Sequence, residues 1–206
     1  MRTKYTIDQL DCYGNVEFYR LHLFGATFTL VDTNGLTNHG DLEIWGDPLT
    51  IMEIRGNITN YGDLGMDEAE ITGDVNNFPT ATLHLDNTEI RGNLYNQIGA
   101  IIDVDYEVDV EQGAVENAGL IKIAPSGEIY VNPYLHNTGQ LQMYGGFCGS
   151  DDLFHNDANG VIKGFGVLSR RQRQIQRLHI LRRHLALADR LALIEKLFFS
   201  LTVVFL

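Results

Sequence analysis

Cross-links are nearly absent from this 206-residue sequence: its two cysteines, Cys12 and Cys148, are too few for a disulfide framework and lack paired metal-ligand spacing. Proline is equally scarce, at four residues. Positive charge runs short as well, with 15 Lys and Arg against 27 Asp and Glu and a formal net charge of −12. That balance argues against nucleic acid as a partner, because such binding depends on cations neutralising phosphate. The opening stretch MRTKYTIDQLDC has no apolar h-region, so no signal peptide is expected. What the chain does have is 21 glycines and an apolar fraction of 44%, enough for a sizeable core.

These totals conceal an internal break. Residues 1–168 hold 7 Lys and Arg against 25 Asp and Glu, whereas residues 169–206 hold 8 against 2. Every Gly, Pro and Asn lies before Ser169. Two kinds of sequence are joined there, and three segments follow: 1–35 as N-terminal strands or a cap, 36–168 as repeats, and 169–206 as a basic, apolar tail.

The repeats are marked by an apolar-x-Asn-x-Gly-x-apolar motif. It is complete at Leu36/Asn38/Gly40/Leu42, Ile58/Asn60/Gly62/Leu64, Val115/Asn117/Gly119/Ile121 and Leu135/Asn137/Gly139/Leu141. Degenerate copies stand at Val75/Asn77, Leu94/Asn96 and Phe154/Asn156, with the Gly slot taken by Pro79 or shifted to Gly99 or Gly160. Leu10/Cys12/Gly14/Val16 reads as a first copy with Cys in the Asn slot. The seven Asn are spaced by 22, 17, 19, 21, 20 and 19 residues, a loose period that marks a solenoid. A second marker keeps step with it: Gly56, Gly73 and Gly92 each lie four residues before a ladder Asn.

Between markers the apolar residues alternate at period two. Ile102, Val104, Tyr106, Val108 and Val110 do so, as do Leu83/Leu85, Ile121/Ile123, Ile129/Val131 and Leu141/Met143. This is strand periodicity with one buried face. Helical repeats are excluded, since Gly and Asn at this density would break them. An antiparallel meander favours adjacent Asn-Gly at its tight turns, whereas the recurring form here is Asn-x-Gly. A marker returning once per turn suits strands stacked in parallel about 4.8 Å apart, where equivalent Asn amides hydrogen-bond up and down a column. The nearby Gly allows a corner that a Cβ would obstruct. A β-sandwich with ordinary surface turns is the competing reading.

The run from Leu36 to Leu168 resembles the right-handed parallel β-helices of bacterial surface proteins, such as autotransporter passengers and adhesins. Their N-x-G-x-I/L turns and G-x-G strand ends match NTGQLQMYGG (137–146) and NGVIKGFGVL (159–168). The resemblance implies an all-β, right-handed parallel β-helix of seven to eight turns and a role in adhesion or display at the cell surface or outside the cell. Glycans or host and cell-surface molecules are the partners it implies. The chain departs from that pattern in showing neither a signal peptide nor a β-barrel translocator.

The tail is expected to be helical, with Leu178, Leu181, Leu185, Ala188 and Leu191 on one face and Arg177, Arg182, Arg183 and Arg190 elsewhere. Its first reading is a cap on the open coil end. A membrane span is a lesser one, since about 20 apolar residues are needed and Glu195-Lys196 interrupts the run. A basic amphipathic helix on a membrane or partner, or a shifted reading frame after codon 168, completes the alternatives.

Four constellations carry candidate chemistry. The carboxylates of DVDYEVDVE (103–111) suit calcium, but alternate carboxylates are also the ordinary outer face of strands. The segment YGGFCGSDDLFHND (144–157) faintly resembles glycine-rich calcium nonapeptides, and its Asp151-Asp152 with His155 resembles the acid–base pair of polygalacturonase-type hydrolases. The remaining motifs of those hydrolases are missing around it; Asn38-His39-Gly40 lies far upstream. Arg55, Arg91, Lys122 and Lys163 are the cations a β-elimination lyase would need, with Arg55 and Arg91 two turns apart on one column. Ser126 and Ser150 lie in no nucleophile elbow. No catalytic, cofactor-binding or metal-ligating residue is therefore assigned, and calcium is the one cofactor kept open. The expectation is a structural or adhesive β-solenoid segment, with a polysaccharide-acting lyase or glycoside hydrolase as the alternative.

Overall fold

The computed structural model describes residues 35–45 and 52–169, together with the backbone of Tyr5–Ile7, Leu10–Cys12, Asn15–Phe18, Phe28–Val31 and Arg170. Among the described residues every regular element is a strand and every pairing is parallel. The chain forms a parallel β-solenoid of about six turns, fewer than the seven to eight expected. Outside Ser169 and Arg170, which prolong the strand Val161–Arg170, the expected helical tail lies beyond the described residues.

Each turn contributes three strands, illustrated by Ile58–Asn60, Asp63–Asp67 and Ala69–Ile71. The first strands stack into an eight-stranded sheet from Leu10–Cys12 to Leu153–Asn156. The second and third stack into two further columns, which Gln140–Ser150 joins by running continuously from one into the other. The register is strict. Cys12 sits opposite Asn38 on the backbone, and Asn38, Asn60, Asn77, Asn96, Asn117, Asn137 and Asn156 follow in one column.

The alternation of the sequence becomes an interior of aliphatic stacks. Leu42, Leu64, Leu83, Ile102, Ile121 and Leu141 lie one above another and are all buried. The segment 102–110 is not one strand as its periodicity implied. Strands Ile101–Val104 and Glu107–Val110 meet at a corner, Asp105–Tyr106, and Tyr106 is exposed. The corner spans two residues, so the alternation resumes in phase on the next strand and the break is invisible to a period-two reading.

The Asn column is buried from Asn38 to Asn137 and hydrogen-bonded through to the exposed Asn156. Each Nδ2 donates to the Oδ1 of the next, from Asn38 to Asn60 at 2.9 Å through to Asn137 to Asn156 at 2.6 Å. The second N–H of Asn38, Asn60, Asn77, Asn96 and Asn117 goes to a backbone carbonyl on the following turn, among them Asp63 O, Thr82 O and Gln140 O. This satisfies groups that would otherwise be costly to bury.

The Gly that follows most of the ladder Asn serves close stacking. A Cβ on Gly62 would stand 2.0 Å from Gly40 O, and one on Gly139 2.2 Å from Gly119 O. Backbone hydrogen bonds place Ala81 and Ala100 in this column, between Gly62 and Gly119. Pro79 and Gly99 therefore do not fill the Gly slot; they belong to two-residue insertions that bulge outward before the chain rejoins the column. Gly56, Gly73, Gly92 and Gly113 form a second close-packed corner, where a Cβ on Gly113 would lie 2.1 Å from Gly92 O. Beside it Asn57, Asp74 and Asn93 accept backbone N–H groups from the next turn at 2.7–2.9 Å.

Candidate metal centre

Outward positions are as strictly registered as inward ones. In the eight-stranded sheet the residue before each ladder Asn points outward, and over the last turns these residues are Tyr95, Glu116, His136 and His155. Stacking thus sets a carboxylate and two imidazoles on consecutive rungs. The rings of His136 and His155 have centroids 5.2 Å apart.

Asp157 completes the group. It follows the last ladder Asn, its backbone N–H donates to Asn137 O at 3.0 Å, and its own carbonyl accepts from Gly160 N at 2.9 Å. Its Oδ1 lies 2.8 Å from His155 Nε2 and 3.3 Å from His136 Nε2. One ligand atom from each of His136, His155 and Asp157 fits within a span of 4.8 Å.

Glu116 stands behind His136. Its Oε2 lies 2.8 Å from His136 Nδ1, while its Oε1 accepts from the Tyr134 hydroxyl at 2.9 Å. With both its oxygens accepting, Glu116 takes a hydrogen bond from His136 Nδ1–H; the protonated ring also donates Nε2–H to Asp157, whereas the neutral ring leaves the Nε2 lone pair facing Asp157 and His155. The hydrogen bond to Glu116 raises the pKa of His136 against the opposing effect of desolvation. Hydrogen bonds from His136 and then His155 lower that of Asp157. Tyr134 is raised by its bond to Glu116.

The constellations expected from the sequence are mostly dispersed. The carboxylates of 103–111 divide between two faces and a corner; Asp103 takes Lys122 at 3.1 Å and His84 at 3.5 Å. Asp151 is buried and Asp152 exposed, so they do not face one cleft as a glycosidase pair must. Arg55 and Arg91 do share a column, but Arg55 is bound to Glu53 at 2.6 Å and Arg91 to Glu70 at 2.6 Å and Glu89 at 3.0 Å. Lys163 stacks in register on Gln142. Ser150 is buried and donates to Pro133 O and Leu153 O, a structural role, while Ser126 is exposed in a turn. His39 stacks on Tyr61, with centroids 4.9 Å apart and planes 5° from parallel. Cys148 is fully buried, and burial pushes its thiol up to about 12, so it is no nucleophile.

His136 and Glu116 were not singled out from the sequence. The signal that finds them is their slot, one residue before a ladder Asn, once the Asn column is read as a register. Comparison with protein-family models, with curated proteins and with solved structures finds no match in any of the three.

Proposed function

We propose that this solenoid is a rigid structural and adhesive segment of a bacterial cell-surface or secreted protein, wound right-handed and displayed outside the cell. The observation that carries the reading is the unbroken interior: aliphatic stacks and a continuous Asn column fill the coil from Leu36 to Asn156. Stacked rungs of this kind give an extended, stiff support whose outer side chains vary freely. A right-handed coil accords with the hand that parallel strand–connection–strand units nearly always take.

For a partner, exposed aromatics are the fitting chemistry. Tyr61 and Trp45 are half exposed. Tyr61 is also held between His39 and Phe78 in a stack, which fixes the ring and leaves its edge and hydroxyl, rather than its face, to a partner. Three of the outer cations that a lyase would use, Arg55, Arg91 and Lys122, are bound to carboxylates instead.

The test is a glycan and cell-surface binding assay on the full chain, run in parallel with assays for new reducing ends and unsaturated uronates. Binding without turnover, weakened in Tyr61→Ala or Trp45→Ala, is expected. Turnover that disappears in Asp151→Ala and Asp152→Ala would replace this reading with that of a polysaccharide-acting enzyme.

A further inference from the structure

We infer that His136, His155 and Asp157 form a binding site for a divalent transition-metal ion, with zinc the best fit, on the outer face of the eight-stranded sheet. The donor set is two imidazole nitrogens and one carboxylate oxygen, which suits Zn²⁺ and its neighbours. Calcium, which takes six to eight oxygens, does not fit it.

The spacing agrees with the chemistry. Zinc bonds of about 2.0–2.1 Å at tetrahedral angles put neighbouring ligand atoms about 3.3 Å apart. The His136 Nε2–Asp157 Oδ1 separation is already 3.3 Å, and the His155 Nε2–Asp157 Oδ1 separation is 2.8 Å. A shift of about half an ångström in the exposed His155 side chain opens the second to the value a zinc edge requires. The two imidazole nitrogens lie within 4.8 Å of each other, so the same side chain must also close on His136 by up to about 1.5 Å to complete the third edge.

Two further features go beyond a chance surface cluster. Glu116 orients His136 through Nδ1, the carboxylate–histidine arrangement that supports metal-bound imidazoles, and Tyr134 in turn holds Glu116. All three ligands are also carried on the ladder: His136 and His155 each precede a ladder Asn, and Asp157 follows one whose amide is bonded to Asn137. The ligand backbone is therefore fixed before any ion arrives. With three protein ligands and an exposed outer side, the fourth position is left to water or to a donor from another molecule.

The experiment is a zinc titration of the chelator-treated full chain against a chromophoric competing chelator. His155→Ala, Asp157→Asn and Glu116→Gln variants are run alongside, with circular dichroism to verify that each keeps the β-sheet signal. One zinc per chain is expected, with excess calcium failing to compete. His155→Ala and Asp157→Asn should abolish that binding, and Glu116→Gln should weaken it about 10- to 100-fold, as loss of an outer partner does. Added zinc should raise the melting temperature of the wild type and not of Asp157→Asn. Absence of stoichiometric binding to the wild type would overturn the inference. Binding of equal strength in folded His155→Ala and Asp157→Asn would overturn it as well, because the ion would then be held elsewhere on the chain.

Discussion

Asn117 lies in the middle of the buried column, and its replacement by Leu puts a price on the ladder. The side chain is 2% exposed, accepts from Asn96 Nδ2 at 2.8 Å, and donates to Asn137 Oδ1 at 2.6 Å and Gln140 O at 2.9 Å. Leucine has the same branching but is bulkier, and its methyls cannot sit 2.6–2.9 Å from their neighbours, so some overpacking adds to the loss. The rest comes from partners left behind: one N–H of Asn96 and the Oδ1 of Asn137 lose their bonds inside the coil. At about 1–3 kcal/mol for each buried group left unsatisfied, the variant should lose about 2–6 kcal/mol. Asn117→Asp is the sharper comparison, being isosteric. It keeps the acceptor for Asn96 but sets an oxygen against two other oxygens, so it should be at least as destabilising at neutral pH. Asn156→Leu, at the exposed end of the column, should cost less than about 1 kcal/mol because water replaces the lost partners. Urea unfolding followed by circular dichroism ranks the three. A loss below about 0.5 kcal/mol for Asn117→Leu, or equal losses at Asn117 and Asn156, would refute the idea that buried amide pairing holds the turns in register.

Gly62→Ala should destabilise by about 1–3 kcal/mol, since its Cβ meets Gly40 O, while Gly65→Ala, whose nearest neighbour is Glu43 Cγ at 3.5 Å, should be near neutral; thermal melts of the two variants check this. Glu111 is pushed up to about 6, first by burial and then by the charge of Glu89. Because the folded state holds this proton more tightly than the unfolded chain, Glu111 withdraws stability as pH rises from about 4.5 to 6, and the loss persists above that. The group is partly exposed, so the effect is held below about 1 kcal/mol, and Glu111→Gln should remove that part of the slope and be the more stable protein at pH 7.5. Cys148, buried with its thiol pushed up to about 12, should react with a thiol reagent in a Cys12→Ser background only as fast as the coil opens; rapid labelling of the native protein would contradict its placement.

The fold was legible because its constraint is written at fixed intervals. A buried amide needs a partner, and in a parallel stack the partner is the same residue one turn away, so Asn recurs. What misled were the places where local pattern and three-dimensional register part company. At Asn77 and Asn96 the nearest Pro79 and Gly99 look like the slot residue, yet two inserted residues carry the chain outward and Ala81 and Ala100 close the corner. At Asp105–Tyr106 a bend of two residues leaves the alternation in phase. The metal-centre candidate was hidden for a different reason: Glu116, His136 and His155 lie about 20 residues apart in sequence, and only the pairing of Glu116 with His136 and of His136 with His155 brings them together. Local motif reading saw His155 beside Asp151-Asp152, where burial of one carboxylate separates the pair.

The most direct test of the stacked register is a series of electron–electron distances between spin labels on one outward column. Glu43, His84, Asp103, Lys122, Gln142 and Lys163 share that column, with Gly65 between the first two. Labels at Glu43 paired with Lys122, Gln142 and Lys163 span four, five and six rungs, so the separations should rise in equal steps of about 4.8 Å, from about 19 to 24 to 29 Å. Distances that do not grow step by step with rung number would contradict the parallel in-register coil.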